Sequence, residues 1–463
     1  MYLDKKGNVI KGASLVGYRA VGVPGTVAGL ALAQRRYGRL SWRQVVEPAR
    51  ILAAQGFCIS PALASSLKKA TVLNGFAESR RVFGRGGRPY RAGEVLRQPD
   101  LAATLGRLEK RGPREFYTGR TARLLARDMA AHSGLVILAD LHRYRAVERT
   151  PLRGTYRGYG VLTMPPPSSG GVALLEMLNV LERFDVRRLG YGTAATDHLL
   201  IEAMRRAFAD RSAFGGDPDF VRVPVRGLTS KAYAAQIARA IRLTEATPSA
   251  QVGHGRPQAF ESQDTTHFSV VDAQGNAVSN TYTLNFLYGS GVTAVGTGVL
   301  LNDEMDDFAA KPGSPNGFGL IQGEANAIGP RKRPLSSMTP TILTRNGKLF
   351  LVIGSPGGPT IINTVLQVIL NVVDHGMSLS QAIAAPRLHH QWLPDLIRYE
   401  SGVVPPPVRA ALEAEGHRFA PAPGAFPGSP TWGDAEGIFV DPRSGKRHGA
   451  SDPRSKDARA MGY

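Results

Sequence analysis

Asp264-Thr265-Thr266-His267 is the stretch of this chain whose residue types and placement point most directly to chemistry. A threonine hydroxyl at neutral pH needs a base, and a threonine standing at a chain N-terminus carries one in its own α-amino group. A Thr-Thr pair inside a β-strand is the plain alternative. His267 suggests a hydroxyl–imidazole pair, but packing or hydrogen bonding at an edge is the reading taken for it. Three further runs are rich in small and hydroxyl residues: PPPSSGG at 165–171, PLSSM at 334–338 and GSPGG at 354–358. The first contains neither GxSxG nor a Walker lysine, which argues against a serine-hydrolase elbow and a phosphate loop. GSPGG alone reads as a turn. His389 and His390, adjacent on a strand, point to opposite faces with no HExxH-type set beside them, and are read as structural; no metal or cofactor is expected.

The elements that must position these residues follow from periodicity. Residues 244–264 are polar and punctuated by Pro and Gly, which reads as a mobile loop. From Thr265 the pattern turns period-two, and a three-residue loop of Ala273, Gln274 and Gly275 closes a hairpin in which Asp272 faces Asn276. Counting outward puts Thr265 opposite Thr283. A second hairpin turns at Asn346-Gly347, a type I′ signal, and the same counting pairs Ser336 with Gly357, so PLSSM and GSPGG lie side by side at one end of a sheet. The first half reads mainly as helices, among them 24–37 and 197–211, the latter an ordinary core helix with Leu200, Met204, Ala207 and Phe208 at helical spacing.

Composition sets the frame. Hydrophobic residues at 43% and charged residues at 20% fit a globular chain of 463 residues. The longest apolar stretch, 360–373, falls short of a membrane span. A net charge of +20 favours acidic partners. Its densest run, Arg80, Arg81, Arg85, Arg88 and Arg91, lacks repeats and is read as a solvated loop, with no specific nucleic-acid partner. Cys58 is the only cysteine, so no intrachain disulfide forms. Residues 1–21 hold Asp4, Lys5, Lys6 and Lys11 and no apolar signal core.

The run FESQDTTHFSVVDAQGNAVSNTYTLNFLYGSG, which continues to Asp307 through GVLLNDEMDDF, resembles the start of the small subunit of bacterial γ-glutamyltransferases. PPPSSGG, PLSSM, GSPGG, HHQWLPD and GASDPR stand in that family's order and spacing, so the likeness covers essentially the whole chain. The resemblance implies an α/β fold, the four-layer αββα sandwich of N-terminal-nucleophile hydrolases, with residues 1–264 as the large-subunit portion and 265–463 as the small catalytic subunit. It implies self-cleavage between Asp264 and Thr265, and attack by Thr265 on glutathione and other γ-glutamyl compounds. The acyl group then passes to water or to an amino-acid or peptide acceptor. Thr283 would orient the nucleophile, Gly357 and Gly358 would form the oxyanion hole, and Ser336 and Ser337 would hold the substrate α-carboxylate. Asn285, Glu304 and Asp307 would surround its α-amino and carboxylate groups.

The family pattern also starts upstream of the point matched by Met1, with a signal peptide and a carboxylate-gripping arginine, so the chain is expected to be N-terminally truncated. The family is periplasmic or secreted, and its two fragments stay together as a heterodimer. Phe318 stands where some bacterial members place a lid tyrosine. Three other readings remain open at this level: a truncated, non-catalytic relative, a glutaryl (cephalosporin-type) acylase on the same scaffold, and a basic nucleic-acid-binding protein.

Overall fold

The computed structural model describes residues 1–255, 267–424 and 432–462. The chain forms two compact units, one of residues 1–149 with 283–306, the other of 150–282 with 307–462. The first unit is helical. Its helices include α1 (Thr26–Tyr37), α2 (Trp42–Gln55), α3 (Pro99–Arg111) and α4 (Arg120–Ala131). Helix α1 stops at Gly38 as expected and starts two residues inside the predicted bound. A capping box joins Ser41 and Gln44 at the head of α2, satisfying amides that the helix cannot use itself. Leu108 of α3 and Leu125 and Met129 of α4 close one small core with Val292 and Leu301 from the returning segment.

The second unit is built on a six-stranded, wholly antiparallel sheet. Its strands are β1 (Leu152–Tyr156), β2 (Tyr159–Thr163), β5 (Thr341–Arg345), β6 (Lys348–Gly354), β7 (Glu436–Val440) and β8 (Arg447–Ala450), in the order β8-β7-β6-β5-β2-β1. The hairpin of β3 (Phe268–Val271) and β4 (Ala277–Asn280) lies against this sheet, with Ser269 Oγ donating to Glu436 O at 3.2 Å and Ser279 Oγ to Ile353 O at 3.1 Å. Phe268, Val270 and Val278 alternate onto the hairpin's other face and are 42–50% exposed. Helices α5 (Gly170–Leu181), α6 (Ala194–Phe214), α7 (Lys231–Ala240), α8 (Thr360–Val373), α9 (Leu379–Ala384) and α10 (Pro406–Ala414) complete the unit. Helix α5 is buried along its whole length, and Leu174, Leu178, Val365 and Ile369 join Leu351 and Ile353 of β6 in the main core.

The first hairpin has the counted register: Phe268 faces Asn280 and Val271 faces Ala277, with Gly275 left-handed at φ 83°. The second needs a correction. Asn346 and Gly347 do make the turn, at φ 51° and 75°, but a bulge at Phe350 shifts the register, so Leu343 faces Leu351 and Thr341 faces Ile353. The expected pairing of Ser336 with Gly357 is therefore not made. The PLSSM run instead lies beside PPPSSGG, where Ser168 bridges Ser336 in parallel fashion.

Two other expectations change. Helix α6 extends three residues beyond each predicted bound, from an N-cap at Thr193, and is buried on every side from Thr196 to Ser212, charged residues included. The loop before Thr265 is anchored along its described part. Ala246 N donates to Glu415 O, Trp392 Nε1 donates to Ser249 O and Val252 O, and Gly255 N donates to Asp210 Oδ1.

Candidate active site

Asp264 and Thr265 lie outside the described residues. The remaining predicted residues divide between the units: Thr283, Asn285 and Glu304 in the first, Asp307, Phe318, Ser336, Ser337, Gly357 and Gly358 in the second.

Within the first unit, Thr283 and Asn285 meet. Thr283 Oγ1 accepts from Asn285 N at 2.7 Å, and Asn285, at φ 76°, sends Nδ2 to Asp303 O at 3.1 Å. Asparagine tolerates this left-handed backbone better than most residues. The carboxylate of Asp303 also accepts from Phe286 N, so the turn carrying Asn285 is tied to the residue before Glu304. Glu304 N donates to Asn302 Oδ1.

Within the second unit, the strand-to-helix turn from β6 to α8 carries the two glycines. Gly357 has φ 132° and Gly358 φ 58°, a backbone that side chains disfavour. A Cβ on Gly357 would lie 2.6 Å from Thr360 Oγ1, and one on Gly358 would lie 2.6 Å from the Phe318 ring. The lid-position aromatic is thus packed directly on the predicted oxyanion glycine. Neither glycine amide donates a hydrogen bond among the described residues. They leave two N–H groups beside the N-terminus of a 14-residue helix, a place suited to developing negative charge.

Ser336 and Ser337 are 2% and 5% exposed. PPPSSGG holds them in place. Ser169 N and Oγ both donate to Ser336 O, at 3.0 and 2.7 Å, and Ser168 Oγ donates to Met338 O at 2.9 Å. The two glycines of that run are dictated by contact, since a Cβ on Gly170 would lie 2.2 Å from Met338 O and one on Gly171 2.1 Å from Met164 O. Asp307 joins the same group through its backbone. Asn326 Nδ2 and Gln322 Nε2 donate to Asp307 O at 2.6 and 3.1 Å, while Leu335 N donates to Asn326 Oδ1 at 2.9 Å.

Sequence reasoning missed Arg211. It is 5% exposed, and its guanidinium donates from Nε to Ser169 Oγ at 2.8 Å and from Nη2 to Ser337 Oγ at 3.3 Å. A signal existed: Arg211 falls one heptad after Met204, on the face that also carries Ala207 and Phe208. Gln322 and Asn326 carried no such signal, because their partners come from separate loops.

The three histidines beside the sequence motifs are buried and hydrogen-bonded. His267 is buried, with Nε2 2.7 Å from Ser269 Oγ and Nδ1 3.2 Å from Thr281 Oγ1, and burial lowers its pKa to about 3. It stays neutral at working pH and packs on Gly354, where a Cβ would fall 2.2 Å from its ring. His389 meets Asn363 at 2.7 Å and Gln391 at 3.0 Å, and Gln391 Nε2 donates to Phe318 O at 3.3 Å. The HHQW run therefore buttresses the loop that carries Phe318.

The chain as a whole is similar to known proteins. The chain is 48% identical over its full length to the glutathione hydrolase proenzyme of Escherichia coli, covering 79% of that protein. Among solved structures, the cephalosporin acylase of Bacillus halodurans superposes with a TM-score of 0.82 at 28% identity, over 95% of this chain and 78% of its own. The γ-glutamyltranspeptidase of Helicobacter pylori gives 0.54 at 43% identity, over 55% of this chain and 74% of its own. The gamma-glutamyltranspeptidase family profile matches residues 1–462. With that profile matched over nearly its whole length and this identity to a full-length relative, the chain belongs to the γ-glutamyltranspeptidase family.

Proposed function

We propose that this chain is an autoprocessed γ-glutamyltransferase and glutathione hydrolase whose nucleophile is Thr265. The full-length 48% identity to a glutathione hydrolase proenzyme carries this reading. In the first step the Thr265 hydroxyl attacks the Asp264 carbonyl, turning the peptide bond into an ester that water opens. The new α-amino group then serves as base for the same hydroxyl. In turnover, Thr265 attacks the γ-carbonyl, and the oxyanion is met by the amides of Gly357 and Gly358. The amine product leaves, and the ester passes to water or to an acceptor amine.

Ser336 and Ser337 would hold the α-carboxylate, with Asn285, Glu304 and Asp307 around the α-amino group, where carboxylates complement an ammonium. Thr283 would orient the nucleophile. The four-layer αββα arrangement is part of the same proposal, supported by the hairpin lying on the six-stranded sheet. A periplasmic or secreted location belongs to the same proposal, supported by the likeness to the family. Among the described residues no helix is long and apolar enough to cross a membrane.

The test is the intact mass of the wild type beside Thr265→Ala. The wild type is expected to split between Asp264 and Thr265 while the variant stays whole. A folded, soluble wild type that stays uncut would overturn the nucleophile assignment. A second reading, glutaryl acylase activity, is favoured by the 0.82 superposition on cephalosporin acylase and by Phe318 at the lid position. Competing γ-glutamyl and glutaryl anilides for one preparation decides between them by their kcat/KM ratio.

A further inference from the structure

His198, Glu415 and His417 stand apart from the site described above. His198 lies near the start of α6, while Glu415 and His417 follow the end of α10; the two histidines are 1% and 3% exposed. His198 Nε2 is 2.7 Å from Arg242 O. A carbonyl only accepts, so this nitrogen carries a proton and, in the neutral ring, Nδ1 presents its lone pair. Glu415 Oε2 and His417 Nε2 both approach that Nδ1 to 2.9 Å. Glu415 Oε2 is itself buried and receives no hydrogen bond.

The three atoms thus converge as an imidazole lone pair, a carboxylate oxygen and a second imidazole nitrogen, all within 4.8 Å of one another. Two acceptors in contact need a positive centre between them. We propose that this centre is a divalent transition cation of the zinc class, held by His198 Nδ1, His417 Nε2 and Glu415 Oε2, with water as a fourth ligand on the side where the Glu415 side chain is 20% exposed.

The donor set suits this class of ion, because two neutral imidazoles and one carboxylate are borderline ligands that prefer zinc, cobalt or nickel to calcium or magnesium. The Arg242 carbonyl supplies the outer hydrogen bond that commonly fixes the tautomer of a ligating histidine. Tetrahedral coordination at ~2.1 Å places ligand atoms ~3.4 Å apart, so loading opens the present contacts by roughly half an ångström. It also moves the His417 proton from Nε2 to Nδ1. The cost is the 3.5 Å contact with Arg205 Nη2, the longest of the hydrogen bonds that Arg205 makes. The bound ion would clip α6 to the chain leaving α10. The rival is a proton in the same place, a His198–Glu415 ion pair formed only when the imidazole is charged.

The experiment uses the full chain, stripped with chelator at pH 8 and titrated with Zn2+ against a chromophoric indicator and with Co2+ by visible absorption. One saturable equivalent is expected, with Co2+ bands of a four-coordinate site. Glu415→Gln, on the solvent side, weakens it at least about tenfold, the scale of losing one coordination partner, and His417→Gln weakens it further. His448→Gln, an exposed histidine, leaves it unchanged. The proposal is overturned if the wild type binds no saturable equivalent, or if Glu415→Gln binds as the wild type does. Because Glu415→Gln removes no buried packing group, its result stands even where His417→Gln fails to fold.

Discussion

Gly358 is where backbone conformation and the predicted chemistry meet most closely. Its left-handed φ of 58° and the Phe318 ring, 2.6 Å from where a Cβ would sit, both oppose any side chain. Gly358→Ala is expected to displace the turn and pull its amide off the oxyanion position, lowering kcat by about 10²-fold, the scale of losing one such donor. Adding Phe318→Ala to that variant removes the ring clash but not the backbone strain, so kcat should recover in part. Steady-state rates on a γ-glutamyl anilide for the two single variants and the double variant check this, and additive losses would show that the ring contact is not the cause. Arg211 shows the other side of residue-scale reading. Its type marks a charge, but only the fold shows that its guanidinium donates to Ser169 and Ser337.

At the scale of elements, the closing GASDPR run acts as a clasp. Asp452 is buried between Arg387, at 2.6 Å, and Arg454, at 2.9 Å, and also accepts from Ala435 N at 2.9 Å. Asp452→Asn leaves Arg387 buried without its counter-charge and should cost about 3–5 kcal/mol, read as a lowered urea midpoint at unchanged slope. Much of the secondary structure was legible before the fold was known, for local reasons. Gly275 and Asn346-Gly347 sit at positive φ, and both turns formed where the sequence placed them. The bulge at Phe350 was not legible, because no glycine marks it and β6 stays apolar through it. The burial of α6 was hidden too. Glu202, Arg205 and Asp210 are charged residues whose partners outside the helix, Thr247 for the first, Ser249 and Asp395 for the second and Tyr233 for the third, no helical spacing announces.

The whole molecule carries +20, and its densest basic run is solvent-facing as expected, but residues 80, 81, 85 and 88 lie in a helix and a hairpin and three of them are paired. Arg81 pairs with Glu78 and Asp100, and Arg85 and Arg88 pair with Glu94, across a two-residue turn at Gly86-Gly87. The acidity profile of stability follows from buried groups instead. Burial lowers His267 and His389 to about 3 and His390 to about 4, so below the ordinary imidazole pKa the unfolded chain binds protons that the native one refuses. Stability from these groups is lost as pH falls from about 6.5 toward 4. Burial raises Asp197 to about 7, and burial with Asp434 nearby raises Glu436 to about 8, so there the native state holds protons that the unfolded chain releases. That stability is lost as pH rises through about 4 to 8. The two trends cross near pH 6.5, where thermal unfolding across a buffer series should show its highest midpoint; a midpoint still rising at pH 8 would contradict the burial of Asp197 and Glu436.

The discontinuous build of the two units has a consequence for a chain cut before Thr265. Each unit draws on both sides of that bond: the first takes 283–306 from the downstream piece, and the second takes β1 and β2 from the upstream one. Strand β2 pairs with β5 along five residues, from Thr163 facing Thr341 to Tyr159 facing Arg345. Cutting the backbone would break none of these hydrogen bonds. The products are then halves of a fragment-complementation pair, woven through each other twice, and cannot part without unfolding both units. They should co-elute as one species in native size exclusion and separate only in denaturant, and the interface between them would dissociate at the midpoint of global unfolding rather than by dilution.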